Sequence, residues 1–289
     1  MSTRNSESDA RLLMRDEDAR PDVQEHVNAH FDATASYWDG VYRGDSLQGV
    51  IYKQRQAAVL ECVGAVEMPE NAAVLEIGCG AGHLTVALAG RGLRVEAVDA
   101  SQAMVEATAE RARESGFEQQ IGTGLADVHA LPFESSRFDL VVAVGVIPWL
   151  HSPEEAIREM ARVLRPGGQL ILTADNRARL SSFTDPRAML ALSPLKRAQV
   201  ALRARRGLAS SRLDFPRRVD RFLLAGGLRP VARRTVGFGP LSFLGRAILR
   251  DPAAIRLNSR FQELADRGAP GLRWTGWHYV ARAVKAESA

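Results

Sequence analysis

The chain has 289 residues, 46% of them hydrophobic, and a formal net charge of +4. That is enough for one large α/β domain with insertions, and no second domain is needed. No apolar run is long enough to span a membrane. The two cysteines, Cys62 and Cys79, show neither metal-type nor framework spacing, so a reducing cytoplasm is the default compartment.

The net charge hides an asymmetry. Lys and Arg number 15 against 27 Asp and Glu over residues 1–176, but 17 against 3 over residues 177–250. An acidic front followed by an arginine-rich stretch suggests an anionic partner, either a membrane surface, an acidic substrate or nucleic acid. A solvated basic face in an arginine-rich protein explains it equally well.

In chain order, residues 1–20 alternate charges without an apolar core. This argues against a signal peptide and predicts a disordered tail. From about Pro21 to Val66 apolar and aromatic residues recur at helical spacing, with Gly44 and Gly49 read as breaks. Residues 74–175 then alternate the two periodicities. Strands are predicted at 73–77, 94–98, 121–126, 138–144 and 168–174, and helices near 83–90, 102–115 and 153–164. The last of these helices opens on Pro153 with Glu154 and Glu155 in its first turn. This alternation implies a parallel sheet covered on both faces. Asp185 to Gly207 reads as a basic amphipathic helix pair. It suits a membrane surface or an anionic partner through 187–206, though a helix capping a substrate pocket is the favoured reading. Pro216 to Leu224 predicts a helix before a sixth strand. Residues 240–272 form a second insertion, expected over the active site, and Trp274 to Ala283 returns as a seventh strand.

The informative stretch is Val74-Leu75-Glu76-Ile77-Gly78-Cys79-Gly80-Ala81-Gly82-His83. A buried strand feeds a glycine turn and a helix, the nucleotide-binding corner of a doubly wound sheet. Asp99 ends the next strand about 20 residues on, where a ribose-binding carboxylate belongs. Further motifs follow in order: Val98-Asp99-Ala100-Ser101-x-x-Met104, Ala126-Asp127-Val128-x-x-Leu131-Pro132-Phe133, Phe138-Asp139-Leu140-Val141 and Val163-Leu164-Arg165-Pro166-Gly167-Gly168. Together they resemble the class I S-adenosylmethionine (SAM) methyltransferases, nearest the small-molecule branch called type 11. The resemblance spans roughly Val74 to Asp175.

That resemblance implies a Rossmann-like seven-stranded sheet with an antiparallel last strand and helices on both faces. An N-terminal helical lid would cover 21–72, and the methyltransferase domain would run over 73–289 with insertions at about 177–215 and 240–272. It implies SAM as methyl donor and S-adenosylhomocysteine (SAH) as product, with no metal expected. By the same resemblance Glu76, Gly78, Cys79 and Gly80 meet the methionine end, Asp99 the ribose, and Ala100, Met104, Asp127 and Val128 the adenine. Val144 and Gly145 pass under the sulfonium. Phe31-Asp32-x-x-Ala35-x-x-Trp38 is similar to the lid signature of quinone and porphyrin O-methyltransferases. Tyr37, Tyr42 and Tyr52 are candidates to cover the methionine arm. Arg55 is a candidate partner for its carboxylate, because guanidinium offers a planar bidentate fork.

The acceptor side departs from the family. Trp149 stands where many relatives carry a histidine, and it suits stacking on a flat acceptor. His151, two residues later, is the candidate base, and His278 a candidate facing the pocket. His30 and His129 are weaker choices, and transfer by proximity alone stays open. Asp175-Asn176 is the one pair suggestive of a metal, and a strand-exit turn accounts for it as well. The function expected is methyl transfer, foremost O-methylation, to a small or lipid-like molecule. The alternatives are a nucleic-acid methyltransferase and a SAM-binding protein without transfer. Nucleic acid is disfavoured because the Asn/Asp-Pro-Pro-aromatic motif and the catalytic cysteines of base methylation are missing after the fourth strand.

Overall fold

The computed structural model describes residues 20–186, 211–244 and 246–287. The tail at 1–19 and most of the basic amphipathic segment, 187–206 included, lie outside the described residues. Two helices come first, α1 (Arg20–Arg43) and α2 (Leu47–Gly64). The break falls at Gly44 to Ser46, and the Ser46 hydroxyl caps α2 by accepting from the Gly49 N–H. Gly49 is therefore inside α2 and does not break it. Its role is close approach: a Cβ there would meet the Gly44 carbonyl oxygen at 2.6 Å and that of Val41 at 2.8 Å.

The sheet follows the predicted alternation: β1 (Ala73–Ile77), α3 (His83–Ala89), β2 (Arg94–Asp99), α4 (Gln102–Glu114), β3 (Ile121–Leu125), β4 (Phe138–Ala143), α5 (Pro153–Val163) and β5 (Leu164–Asp175). A short helix α6 (Ser181–Thr184), then α7 (Pro216–Ala225), β6 (Leu228–Val236), a small hairpin at 242–247, α8 (Asp251–Asp266) and β7 (His278–Lys285) complete the order. The seven strands lie in the order β3-β2-β1-β4-β5-β7-β6. β1 to β5 pair in parallel, and β7 slots antiparallel between β5 and β6. Arg165 to Gly168, read as a turn before β5, lies within that strand as an irregularity. The ladder jumps from Phe138↔Leu164 to Leu140↔Gln169.

Both faces of the sheet are buried. Leu75, Val141, Leu170 and Leu172 point to the layer holding α5 and α7. Val74, Leu140, Val142 and Ile171 point to the layer holding α2 and α3. Such two-sided burial is why the central strands read as continuous apolar runs without alternation. The insertions behave differently from one another. The first leaves at Asp175 and returns to the same place: Asp214 N–H donates to the Asp175 carbonyl (3.0 Å), and Arg177 N–H donates to the Asp214 carbonyl (3.0 Å). In the second, α8 packs against α2. Asn258 and Gln262 accept from the Phe238 (2.7 Å) and Gly237 (2.9 Å) N–H groups. It is expected over the active site, yet no described residue of 240–272 lines the cavity, and α2 lies between.

Candidate active site

A cavity of about 1280 Å³, counted out to its open mouth, lies at the carboxyl edge of the sheet under α1 and α2. One half is the glycine corner. Gly78, Gly80 and Gly82 hold φ of +71°, +55° and +77°, a region that favours glycine. A Cβ on Gly78 would also strike Val146 Cγ2 at 2.4 Å, whereas on Gly80 it would meet nothing within 4 Å. The loop is stapled to β2: Gly78 and Cys79 N–H donate to the Val98 carbonyl (2.8 and 3.1 Å), and Gly80 N–H donates to Asp99 Oδ2 (3.0 Å). Close approach, not N–H donation, is thus what Gly78 and Gly80 offer. Asp99 Oδ1 accepts from Ser101 N–H (3.0 Å). A carboxylate oxygen has lone pairs to spare beyond one such bond. Burial pushes the Asp99 carboxyl above its usual range, against the pull of these amides.

Two buried ionisable groups face this corner without ion-pair partners among the described residues. Glu76 is 2% exposed, its Oε2 has no hydrogen bond, and burial raises its carboxyl to about 8. Arg55 is 6% exposed, donates to the Tyr42 hydroxyl (2.8 Å), lies over the Tyr52 ring at 4.5 Å and leaves Nε unpartnered. The bare Cα of Gly145 gives it room, since a Cβ there would stand 3.1 Å from Arg55 Nη1. Buried unpaired charges are costly. An acid and an arginine at one cavity fit a ligand that carries an ammonium and a carboxylate on one carbon. Ala100, Met104, Asp127 and Val128 line the far end, with Val144 on the floor. Asp127 is held below the usual carboxylate range by its bond to His129, whose Nδ1 lies 2.7 Å from Asp127 Oδ1.

The other half is aromatic. Phe31 meets Trp149 edge-on at 5.1 Å and Trp38 at 5.9 Å, Trp38 meets Tyr52 at 6.0 Å, and Tyr42 stacks on His83 at 4.9 Å. Trp149 lines this chamber, as do Val27, Pro148 and Asp175. Tyr37 does not. It is 54% exposed on the outer side of α1, one residue off the stripe of Gln24, Phe31, Trp38 and Tyr42. Neither His151 nor His278 lines the cavity. His151 stacks on His129 at 3.9 Å and its Nδ1 lies 3.3 Å from Gln24 Oε1. His278 is 2% exposed and bonded to Asp175 at 3.1 Å. Asn176 is no free ligand: its amide donates to the Trp274 and Gly276 carbonyls and accepts from Ala178 N–H. Among the described residues no group of three or more His, Cys, Asp or Glu stands together as for a metal.

Two features go beyond the roles read from the sequence. Asp175 reaches the chamber as the last residue of β5, the position on that strand that Asp99 holds on β2. Asp32 on α1 accepts from the Ser101 hydroxyl (2.5 Å) and from Ala103 N–H (3.4 Å), tying α1 to the start of α4.

This strand order, with its glycine corner and acid-ended second strand, is that of the class I SAM-dependent methyltransferases. Residues 75–172 match the family described as "Methyltransferase domain", in agreement with that likeness. It is 36% identical over 100 residues to the methyltransferase GfsG of Streptomyces halstedii, covering 34% of this chain and 36% of that protein. It is 31% identical over 162 residues to a ubiquinone biosynthesis O-methyltransferase of Alkalilimnicola ehrlichii, covering 55% and 62%. The chain thus spans between about a third and three fifths of the length of these relatives. Among solved structures it resembles the [4+2]-cyclase SpnF (TM-score 0.60, 18% identity, 91% of this chain and 96% of that one). It also resembles the geranyl diphosphate C-methyltransferase of Streptomyces coelicolor (TM-score 0.53, 15% identity, 81% and 79%). These two likenesses speak to the fold.

Proposed function

We propose that the protein transfers a methyl group from SAM to a small, planar, hydroxyl-bearing acceptor. The observation that carries this reading is the cavity itself, where unpaired buried Glu76 and Arg55 adjoin an aromatic chamber. Glu76 receives the ammonium of the methionine end and Arg55 its carboxylate. Asp99 accepts from the ribose hydroxyls, Asp127 from the adenine amine, and Ala100, Met104 and Val128 wall the base. Val144 and Gly145 lie beneath the sulfonium. SAM brings an activated methyl group with a good leaving group already attached, so the chain's work is alignment and exclusion of water. Phe31, Trp38 and Trp149 hold a flat ring by stacking and edge contacts.

Calorimetry with SAH tests the donor half. Asp99→Ala should weaken binding at least tenfold, about 1.4 kcal/mol, and unchanged affinity would sink the ribose assignment. Methyl-labelled SAM tests the acceptor half. Label should pass to small aromatic hydroxyl compounds and not to total RNA or DNA. Strong RNA labelling would reverse the reading.

A further inference from the structure

We propose that Asp175, held in place by His278, takes the proton of the acceptor's hydroxyl as that oxygen is methylated. The inference rests on the methyl-transfer reading above and adds the group that completes its chemistry. Asp175 lines the aromatic chamber, and its side chain is 18% exposed. It is therefore reachable by an acceptor yet shielded from bulk water. In the antiparallel ladder of β5 and β7, Asp175 stands directly opposite His278. The imidazole is packed against the Tyr52 ring at 5.5 Å and that of Trp277 at 6.0 Å, and its Nδ1 lies 3.1 Å from Asp175 Oδ1. Burial, the dominant cause, holds His278 down to about 4, so the ring is neutral near pH 7. A carboxylate only accepts; the ring proton must therefore sit on Nδ1 and point at Oδ1. That fixes the carboxylate and leaves Oδ2 for the acceptor.

The surrounding charges select a hydroxyl over an amine. Arg55 and Tyr52 on α2, Arg179 just beyond β5 and His278 on β7 face Asp175 electrostatically. With Arg55 taken by the donor's carboxylate, the Arg179 guanidinium favours negative charge developing on an acceptor oxygen and opposes an incoming ammonium. As the acceptor oxygen bonds to the methyl carbon, the carbon–sulfur electron pair returns to sulfur and the hydroxyl proton passes to Asp175 Oδ2. Asp175 is the catalytic residue in this step, and His278 a positioning residue.

The test uses the full chain, SAH calorimetry and methyl-labelled SAM with two probes, naphthol and dinitronaphthol. The first is neutral at assay pH and the second already ionised. Asp175→Asn should leave SAH affinity within about twofold, slow naphthol methylation about 10²- to 10⁴-fold and slow dinitronaphthol methylation less than about tenfold. His278→Gln, which keeps an N–H donor, should fall between wild type and His278→Ala with the same bias toward the neutral probe. A structural role would slow both probes alike. Equal losses for the two probes, or undiminished naphthol methylation in both variants, would overturn the proposal. So would a wild-type protein that binds SAH and labels neither probe, an outcome that leaves the donor site standing. Failure of the wild type to bind SAH would instead strike the methyl-transfer reading and this inference with it.

Discussion

Glu76 shows how a single buried carboxyl can report on ligand binding. Its carboxyl is raised to about 8, chiefly by burial, with the nearby Asp99 charge adding and the Thr85 hydroxyl opposing. A carboxyl ordinarily near 4.5 that titrates near 8 when folded binds a proton the unfolded chain lacks throughout that window. Stability of the ligand-free protein should therefore fall as pH rises through the window, because the native state is the one holding the extra proton. An ammonium placed against Glu76 reverses the balance and expels that proton. Titration with SAH near pH 7, in buffers of differing ionisation enthalpy, should reveal release of close to one proton. The release should vanish in Glu76→Gln and fade above about pH 9. A wild-type titration with no proton release would show that Glu76 does not meet the ammonium. Cys79 is no competing reporter, since burial pushes its thiol far above the ordinary range.

Among the elements, α1 shows few anchors in its described side chains. Val27 is buried, but Phe31 and Trp38 meet the cavity rather than a packed core. The Asp32 bond to Ser101 is a charge-assisted contact worth about 1.5–3 kcal/mol, and Ser101 is also the cap of α4 and a neighbour of Asp99. Asp32→Ala should raise amide exchange across 20–43 and weaken SAH about three- to tenfold. Unchanged exchange would show that α1 is held by its apolar stripe alone. These elements also show what was legible beforehand. Glu76, Asp99 and Asp127 could be read because each is tied to a local signal, a strand end or a glycine turn. Tyr37 could be placed only by helical phase: Phe31, Trp38 and Tyr42 recur at seven and four residues on one stripe, and Tyr37 falls one residue off it. The Asp175–His278 pair was illegible. It exists only because β7 inserts antiparallel between β5 and β6 in one register, and nothing local specifies a contact between residues so far apart in sequence.

At the scale of the whole molecule, part of the arginine excess has a structural use. β6 is an edge strand of the sheet, and it carries Pro230, Arg229, Arg233 and Arg234. Proline and positive charge on an edge discourage pairing with another sheet. Arg233 pairs with Asp220, and Arg234 with Glu61 and Asp266, so these arginines also bind β6 to α7, α2 and α8. Among the described residues no helix is long and apolar enough to cross a membrane. The excursion after β5 meets the body of the protein where it began, through the hydrogen bonds of Asp175 and Arg177 with Asp214. Replacing 187–210 with a short glycine–serine linker should therefore shift Tm by only a few degrees and keep SAH affinity within about twofold, since loop-closure cost changes slowly with length. A collapse of either would show that the segment is needed for folding. The described flanks, Asp175 to Arg177 and Asp214, are thus pinned to each other at the edge of the sheet. The strand that ends in Asp175 keeps its register from β4 on one side and β7 on the other, so its last residue stays in place whatever follows Arg177.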